Sequence, residues 1–479
     1  MSGKIYSDLF MVRLLRNIKA GFVNLLLIPL LLMPAIARST VYTANSSAEI
    51  KSYLNQLTAG DTLLIESGNY DIGAIWISNL HGNENAWIVI KGINGMATLI
   101  GSRYENVINL DNVSYLHFEN IAITTDGTYD GIDGVTFRSS SHHVTFKKCH
   151  IYNITNVGIN SQVPEIHHII VSETEISHCS TAGIYWGYDS PLKVARDCLI
   201  ENSYIHNCPT DRTQETGYGI QIKGGSYRNI VRDNVLHDVS GTTRAGIAVY
   251  YTNHSGGWSA DDNNIVAGNV IWNVPSEGIF CSAGITLENN IVFDAEYGIS
   301  IYPHTGSKTE NIIVRNNTVY RSKIKGLFIS GWENAGSDCM VLNNVVYMGN
   351  LFLDALDARS RGNAVFSGNY HYGNARGFGS GSTLGRSPEE DFKSAGVNIT
   401  VPNLDFYPST GAPFIDNGTN DLGYPSNDFN GVSRPIGGKV DVGAYEHAGE
   451  NNPGWKIIKG FKNPAEKNPQ RPENLRINE

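Results

Sequence analysis

A four-residue phrase that returns along the chain limits the fold more than any other feature. It reads Asn234-Val235-Leu236-His237, Asn269-Val270-Ile271-Trp272, Asn290-Ile291-Val292-Phe293, Asn317-Thr318-Val319-Tyr320 and Asn344-Val345-Val346-Tyr347. Weaker copies precede it at Cys149-His150-Ile151-Tyr152, Thr174-Glu175-Ile176-Ser177 and Ser203-Tyr204-Ile205-His206. From Ile151 onward, the central aliphatic residue recurs at steps of 21 to 35 residues. A second phrase, glycine then an aliphatic, keeps pace at Gly158-Ile159, Gly183-Ile184, Gly219-Ile220, Gly246-Ile247, Gly278-Ile279, Gly298-Ile299 and Gly326-Leu327. A third shows in Ile169-Ile170-Val171, Ile230-Val231, Ile265-Val266 and Ile312-Ile313-Val314. Three short strands per period, with no amphipathic helical stretch between them, predict a parallel β-helix: an all-β solenoid of three parallel sheets.

The physics of stacking agrees with the pattern. Aliphatic side chains alternate inward and meet their counterparts about 4.8 Å above and below, while the repeated Asn sits at a turn where amide ladders can satisfy buried backbone groups. Between Asp61 and Glu446 there is room for about a dozen coils, a rod of about 55–65 Å. An open end would expose strand edges and apolar interior, so a cap is needed. Residues Ser46–Leu57 supply one, a helix with Ile50, Tyr53, Leu54 and Leu57 on one face and Ser46 or Ser47 as N-cap. Beyond Gly362 the phrase is lost, and loops over the last coils are expected as far as Val401. The stretch Asp428-Phe429-Asn430-Gly431, Arg434-Pro435 and Asp441-Val442-Gly443-Ala444-Tyr445-Glu446 then closes the domain. Residues 447–479, rich in Asn, Pro and Lys, are expected to be disordered.

Residues 1–37 read as a cleaved signal peptide: Arg13, Arg16 and Lys19 precede an apolar run from Ala20 to Met33, and Ala35-Ile36-Ala37 has the small-x-small form of a cleavage site. The run is too short for a membrane anchor, and no second stretch spans a bilayer. A secreted or periplasmic domain over residues 38–446, acting as a monomer, is therefore expected. With 41% apolar and 17% charged residues the chain is neither disordered nor a coiled coil. Its net charge of −10 argues against nucleic acid or an anionic membrane as partner, but not against an anionic sugar polymer in a locally basic groove. The six cysteines are scattered; Cys198 with Cys208 is the first pair to test, against a set of buried thiols.

The start (GDTLLIESGNY, WIVIKG), the coil phrases and the closing DFNG, RP, DVGAYE segment together resemble exported bacterial right-handed parallel β-helix proteins, which include many polysaccharide lyases. The resemblance covers nearly the whole mature chain and implies that fold. It specifies the reaction less well, because such rods also host hydrolases, epimerases and binding proteins.

Alternation places candidate side chains on the outside of one sheet. With Ile220 and Ile222 inward, Gln221 and Lys223 face out. Aligning the glycine phrase stacks Gln162, Gly187, Lys223, Tyr250, Ser282 and Tyr302 in one outer column, beside Asn160, Tyr185, Gln221, Ala248 and Ser300 in another. Tyr188, His304 and Trp332 lie just past the strands, and Arg212 and Arg244 just before them. Aromatic planes with a few placed charges suit a sugar polymer. Lys223 and Arg244, on consecutive coils, resemble the lysine base and arginine acid of alginate- and chondroitin-cleaving β-helix lyases. Arg244 precedes its strand, so Tyr250 is a rival acid. The chain departs from that family in having no matching acidic run ahead of the lysine to hold calcium. Asp126, Asp130 and Asp133 are a candidate calcium site elsewhere, or ordinary turn residues. The pairs His142-His143 and His167-His168 are expected to point to opposite faces of a strand, as turn or surface residues rather than metal ligands.

The function expected is eliminative cleavage of an acidic, uronic-acid-containing polysaccharide, with Lys223 as base, Arg244 or Tyr250 as acid, and Gln221, Tyr185, Tyr188, Tyr302, His304, Arg212 and Trp332 binding substrate. A glycoside hydrolase or C5-epimerase on the same groove is the alternative, as is a non-catalytic carbohydrate-binding surface protein.

Overall fold

Hydrogen bonds from each coil to the next close this chain into a rod, and the asparagines of the recurring phrase add a line of side-chain bonds to them. The computed structural model describes residues 39–163, 165–188, 193–250, 260–304 and 308–462. The expected leader, residues 463–479 and the short stretches holding Asp189, Tyr251 and His254 lie outside that set. The described chain makes a parallel β-solenoid of about eleven turns. The glycine phrase opens the strands of one sheet, which runs from Ile75–Ser78 through Tyr218–Ile222 to Asn374–Arg376. The asparagine phrase opens a second, through Val235–Val239 and Val345–Tyr347. A third contains Ser141–Lys147, Glu165–Ser172 and Ile285–Glu288.

Each interior position repeats in register. Ile151, Ile176, Ile205, Leu236, Ile271 and Val292 pair coil by coil and are fully buried. Each such side chain contributes about 1.5–3 kcal/mol by leaving water. At the corner before them, Asn234, Asn269, Asn290, Asn317, Asn344 and Asn369 form one ladder, every Nδ2 donating to the next Oδ1 at 2.9–3.0 Å. The glycine phrase has a different cause. A Cβ on Gly219 would lie 2.7 Å from the Gly246 carbonyl oxygen, and one on Gly298 2.5 Å from that of Gly326. Only a residue without a side chain lets the coils approach there.

The capping helix is shorter than expected, Ser47–Leu54, with Ser46 as N-cap: its Oγ accepts from the Glu49 amide at 3.3 Å. Ile50 and Leu57 are buried as the pattern required. At the other end the coils continue past Gly362. Strands Val365–Ser367, Asn369–Tyr372 and Asn374–Arg376 pair with the coil before, because Asn369 carries the ladder one rung further. The segment after Leu404 then lies along the outer face of the asparagine sheet, where Phe406, Phe414, Phe429, Tyr445, Trp455 and Ile457 pack on Trp272, Phe293, Tyr320 and Tyr347. Residues 447–462 therefore depart from the expected disorder: Ile457 is buried, and Lys462 Nζ donates to Asp233 Oδ1 at 2.8 Å. The aromatic column of the phrase needs a cover, and this segment supplies it. The closing motif is held by Arg434, fully buried and paired with Glu446 at 3.2 Å. All six cysteines are buried free thiols, Cys198 and Cys208 included.

Removing one ladder rung strands several buried groups at once. Asn317→Ala deprives the Asn290 backbone N–H and side-chain amide of their acceptor, and each unmet buried group costs about 1–3 kcal/mol. A loss of about 3 kcal/mol or more in unfolding free energy is expected, measured by urea denaturation against wild type.

Candidate functional site

With its interior positions fixed, the glycine sheet must present every alternate side chain outward. One outer column runs Trp76, Asn109, Thr136, Asn160, Tyr185, Gln221, Ala248, Phe280, Ser300, Phe328, Asp357, Arg376, each residue paired with the next. One residue beyond the inward end of each strand lie Lys223, Tyr250, Ser282, Tyr302, Ser330 and Arg359, so the alignment read from the glycines reproduces the observed register.

Lys223 and Tyr250 meet. The ammonium nitrogen stands 4.8 Å from the ring centroid, a cation–π contact worth about 0.5–2 kcal/mol. The Tyr250 hydroxyl is 3.0 Å from that of Tyr218. Burial raises the Tyr250 pKa above that of an ordinary phenol, opposed by the Tyr218 hydrogen bond and the Arg244 charge, so the phenol keeps its proton at neutral pH. Arg244 precedes its strand, as expected; its Nη1 bonds Thr243, and its charge acts on Tyr250 and Tyr302 alike. His304 packs edge-on to Tyr250 at 4.7 Å, and Phe280 joins Tyr250 to Tyr302 at 5.2 and 4.7 Å. Tyr302 donates to Glu277 Oε1 at 3.2 Å, and burial followed by that carboxylate raises its pKa. Beside it opens a groove of about 500 Å³ lined by Glu277, Tyr297, Ser300, Tyr302, Phe328 and Ser330 among others.

Along the floor, polar atoms are left unpaired. Gln221 is 1% exposed, yet among the described residues neither its Oε1 nor its Nε2 has a hydrogen-bond partner, and Ser300 Oγ and Asp357 Oδ1 share that condition. Asp357 is wholly buried among cations: Lys325 Nζ contacts Oδ2, and the Nε atoms of Arg359 and Arg376 stand 3.8 Å from its two oxygens. Lys325 and Arg359 also sit over Phe328, at 4.4 and 5.0 Å. Three cations against one carboxylate make this end of the groove basic on an acidic protein. Sequence reading missed Lys325, Phe328, Asp357, Arg359 and Arg376. The same alternation applied to Gly326-Leu327-Phe328-Ile329 would have placed Phe328, but Asp354–Ala358 lacks the glycine that marked earlier strands.

Other expected residues fall differently. Tyr185 is half-buried between Asn160 and Gln221, and Tyr188 is 44% exposed with Lys193 Nζ 5.0 Å above its ring. Trp332 is not available to a ligand: it is completely buried in the core, because the turn after Ile329 folds inward. Arg212 is held at a corner instead, its guanidinium engaged by Asp238 at 3.1 Å and by the Asn273 carbonyl oxygen. The three aspartates do not converge. Asp126 and Asp130 are exposed, while buried Asp133 accepts from Thr136, Asn156 and Asn160 at 2.8 Å each and from the Val157 amide at 3.2 Å. A carboxylate so filled by N–H and O–H donors does not fit calcium, and no step is assigned to that ion. The histidine pairs also differ from expectation, because positive φ at His143 and His168 (53° and 54°) turns both rings of each pair to the same side.

The family model described as the right handed beta helix region matches residues 79–256 and 251–346. The chain belongs to this family. This β-helix is similar to the solved alginate lyase from Paenibacillus sp. str. FPU-7, with 15% identity and a TM-score of 0.41 over 55% of this chain and 98% of that one. It is similar to pectate lyase Pel9A, with 15% identity and a TM-score of 0.47 over 86% and 97%. The A-module of mannuronan C-5 epimerase AlgE6 from Azotobacter vinelandii gives 15% identity and a TM-score of 0.49 over 71% and 94%. Comparison with curated proteins gives no match. Among the described residues no helix is long and apolar enough to cross a membrane.

An unpaired buried amide is a stability cost carried at a site. Gln221→Met keeps the volume and removes both unmet atoms, so the β-helix is expected to gain about 1–2 kcal/mol in urea unfolding. An unchanged or lower unfolding free energy would show that the amide is satisfied in solution.

Proposed function

We propose that this β-helix cleaves an acidic, uronic-acid-containing polysaccharide by β-elimination in the groove on the glycine sheet. The observation that carries the reading is the convergence of the Lys223 amine and the Tyr250 phenol, with the Arg244 charge acting on that phenol. Elimination needs a base for the proton on C5 of the uronate, an acid for the O4 leaving group, and donors for the charge that builds on the carboxylate. In its neutral form the Lys223 amine takes the C5 proton. The electron pair of that C–H bond forms the C4–C5 double bond as the C4–O4 bond breaks. Tyr250, which burial keeps protonated, gives its proton to the departing oxygen, with Tyr218 hydrogen-bonded to the phenolate left behind. Arg244, whose charge acts on Tyr250 and Tyr302, faces the developing carboxylate charge.

Phe280, Tyr302 and Phe328 provide apolar planes for the faces of neighbouring sugar rings. Arg359 and Arg376, with 56% and 68% of their side chains exposed, offer ion pairs to a carboxylate further along the chain. Substrate in this reading lies along the rod, spanning several coils.

Mixing the protein with alginate, pectate or chondroitin is expected to raise ultraviolet absorbance as the unsaturated product forms. Lys223→Ala should abolish the rise. Tyr250→Phe should slow it by about 10²–10⁴-fold with circular dichroism unchanged, whereas Arg359→Ala should raise KM more than it lowers kcat. A rise that survives Lys223→Ala would remove this residue as the base. New reducing ends without absorbance would mean hydrolysis, and inversion at C5 without chain cleavage would mean epimerisation.

A further inference from the structure

On a different sheet from the groove, two coils bring four imidazoles together. His142 and His167 are paired partners in register. The left-handed backbone at His143 and His168 folds each second ring back beside the first, so that Nδ1 faces Nδ1 at 2.7 Å in one pair and 2.8 Å in the next. The pairs stack almost in parallel: His142 on His167 at 4.7 Å and 7°, His143 on His168 at 4.4 Å and 5°. His142, His143 and His167 can each offer one ring nitrogen such that all three lie within 4.8 Å of one another. Tyr115 stacks on His143 at 4.4 Å, and Trp87 meets it edge-on at 6.3 Å, closing the N-terminal end of the stack.

We propose that His142, His143 and His167, with His168 beside them, form a binding site for a transition-metal cation of the zinc or copper class. Between two facing ring nitrogens there is room for one proton, so in each neutral pair one nitrogen donates and the other accepts. A cation among the three rings takes up their lone pairs together. Its ligands are all imidazole nitrogens, which suit zinc, copper or nickel and not the oxygen-seeking calcium or magnesium. All four rings are half-buried, within reach of an ion from solution. A cation held there ties one coil to the next near the N-terminal end of the rod.

The experiment is isothermal titration of full-length, tag-free protein with zinc chloride and with copper chloride, and separately with calcium chloride. Zinc and copper are expected to bind, calcium to leave this site empty, and the variant His143→Ala/His167→Ala to lose the zinc and copper heat while keeping its circular dichroism. If that variant fails to fold, the single His167→Gln replaces it. Bound copper should show nitrogen hyperfine splitting from several imidazoles in its paramagnetic resonance spectrum. No binding by wild type, binding unchanged in the variants, or binding lost instead in His150→Ala/His206→Ala would overturn the proposal.

Discussion

The in-register stacking of coil on coil is the constraint on which the rest of the rod depends, and from Asn234 to Asn369 an amide ladder reinforces it. An asparagine side chain has two donors and two acceptor positions, and in this stack all four are used. Asn290 Nδ2 donates to the Val266 carbonyl oxygen at 2.8 Å and to Asn317 Oδ1 at 2.9 Å, while its Oδ1 accepts both the backbone N–H and the side chain of Asn269. Aspartate at that corner would stack like charges about 4.8 Å apart, and a hydroxyl can do only part of the work. In the earlier coils Thr174 and Ser203 accept one amide each, from Cys149 and Thr174, at 3.3 Å. The fully bonded asparagines follow the coil spacing that the backbone bonds of the sheets set, for a Cβ on Gly158 would lie 2.5 Å from the Gly183 carbonyl oxygen in coils without the ladder. That spacing in turn brings Gly219 and its counterparts so close that a Cβ is excluded at the start of the groove strands.

Two faces of the same rod thus meet different fates. Outward residues of the asparagine sheet are large aromatics, and the chain spends its last described residues covering them. Outward residues of the glycine sheet mix aromatics with polar groups whose hydrogen bonds the fold leaves unmade. Gln221, Ser300 and one oxygen of Asp357 show that condition on one column among the described residues, as do Tyr320, Tyr445 and Trp455 on the covered face.

What could be read from the sequence was whatever repeats. The three phrases gave the architecture, the inward and outward faces and the columns holding Lys223, Tyr250 and Tyr302, because register is a consequence of period. What failed was local. Trp332 and Arg212 lie in turns, where alternation says nothing about direction, and one turned inward while the other found a carboxylate at a corner. Asp133 stands in sequence between a calcium ligand and a turn residue, and its partners Asn156 and Asn160 come from the next coil and cannot be seen in a run of eight residues. The histidine pairs were misread for the opposite reason: strict alternation was assumed where a left-handed residue breaks it. Asp357 and its three cations were missed where the marker glycine stops, although the sheet goes on.

The path of the last segment sets an order on assembly. Lys462 returns across 229 positions to reach Asp233, so a rod whose coils can stack as they are synthesised still shows a bare aromatic strip from Tyr204 to Tyr370 until the covering segment that ends at Lys462 has been added. During that interval the nascent rod is sticky along one side, and it is most exposed to self-association when almost all of its internal bonding is already in place.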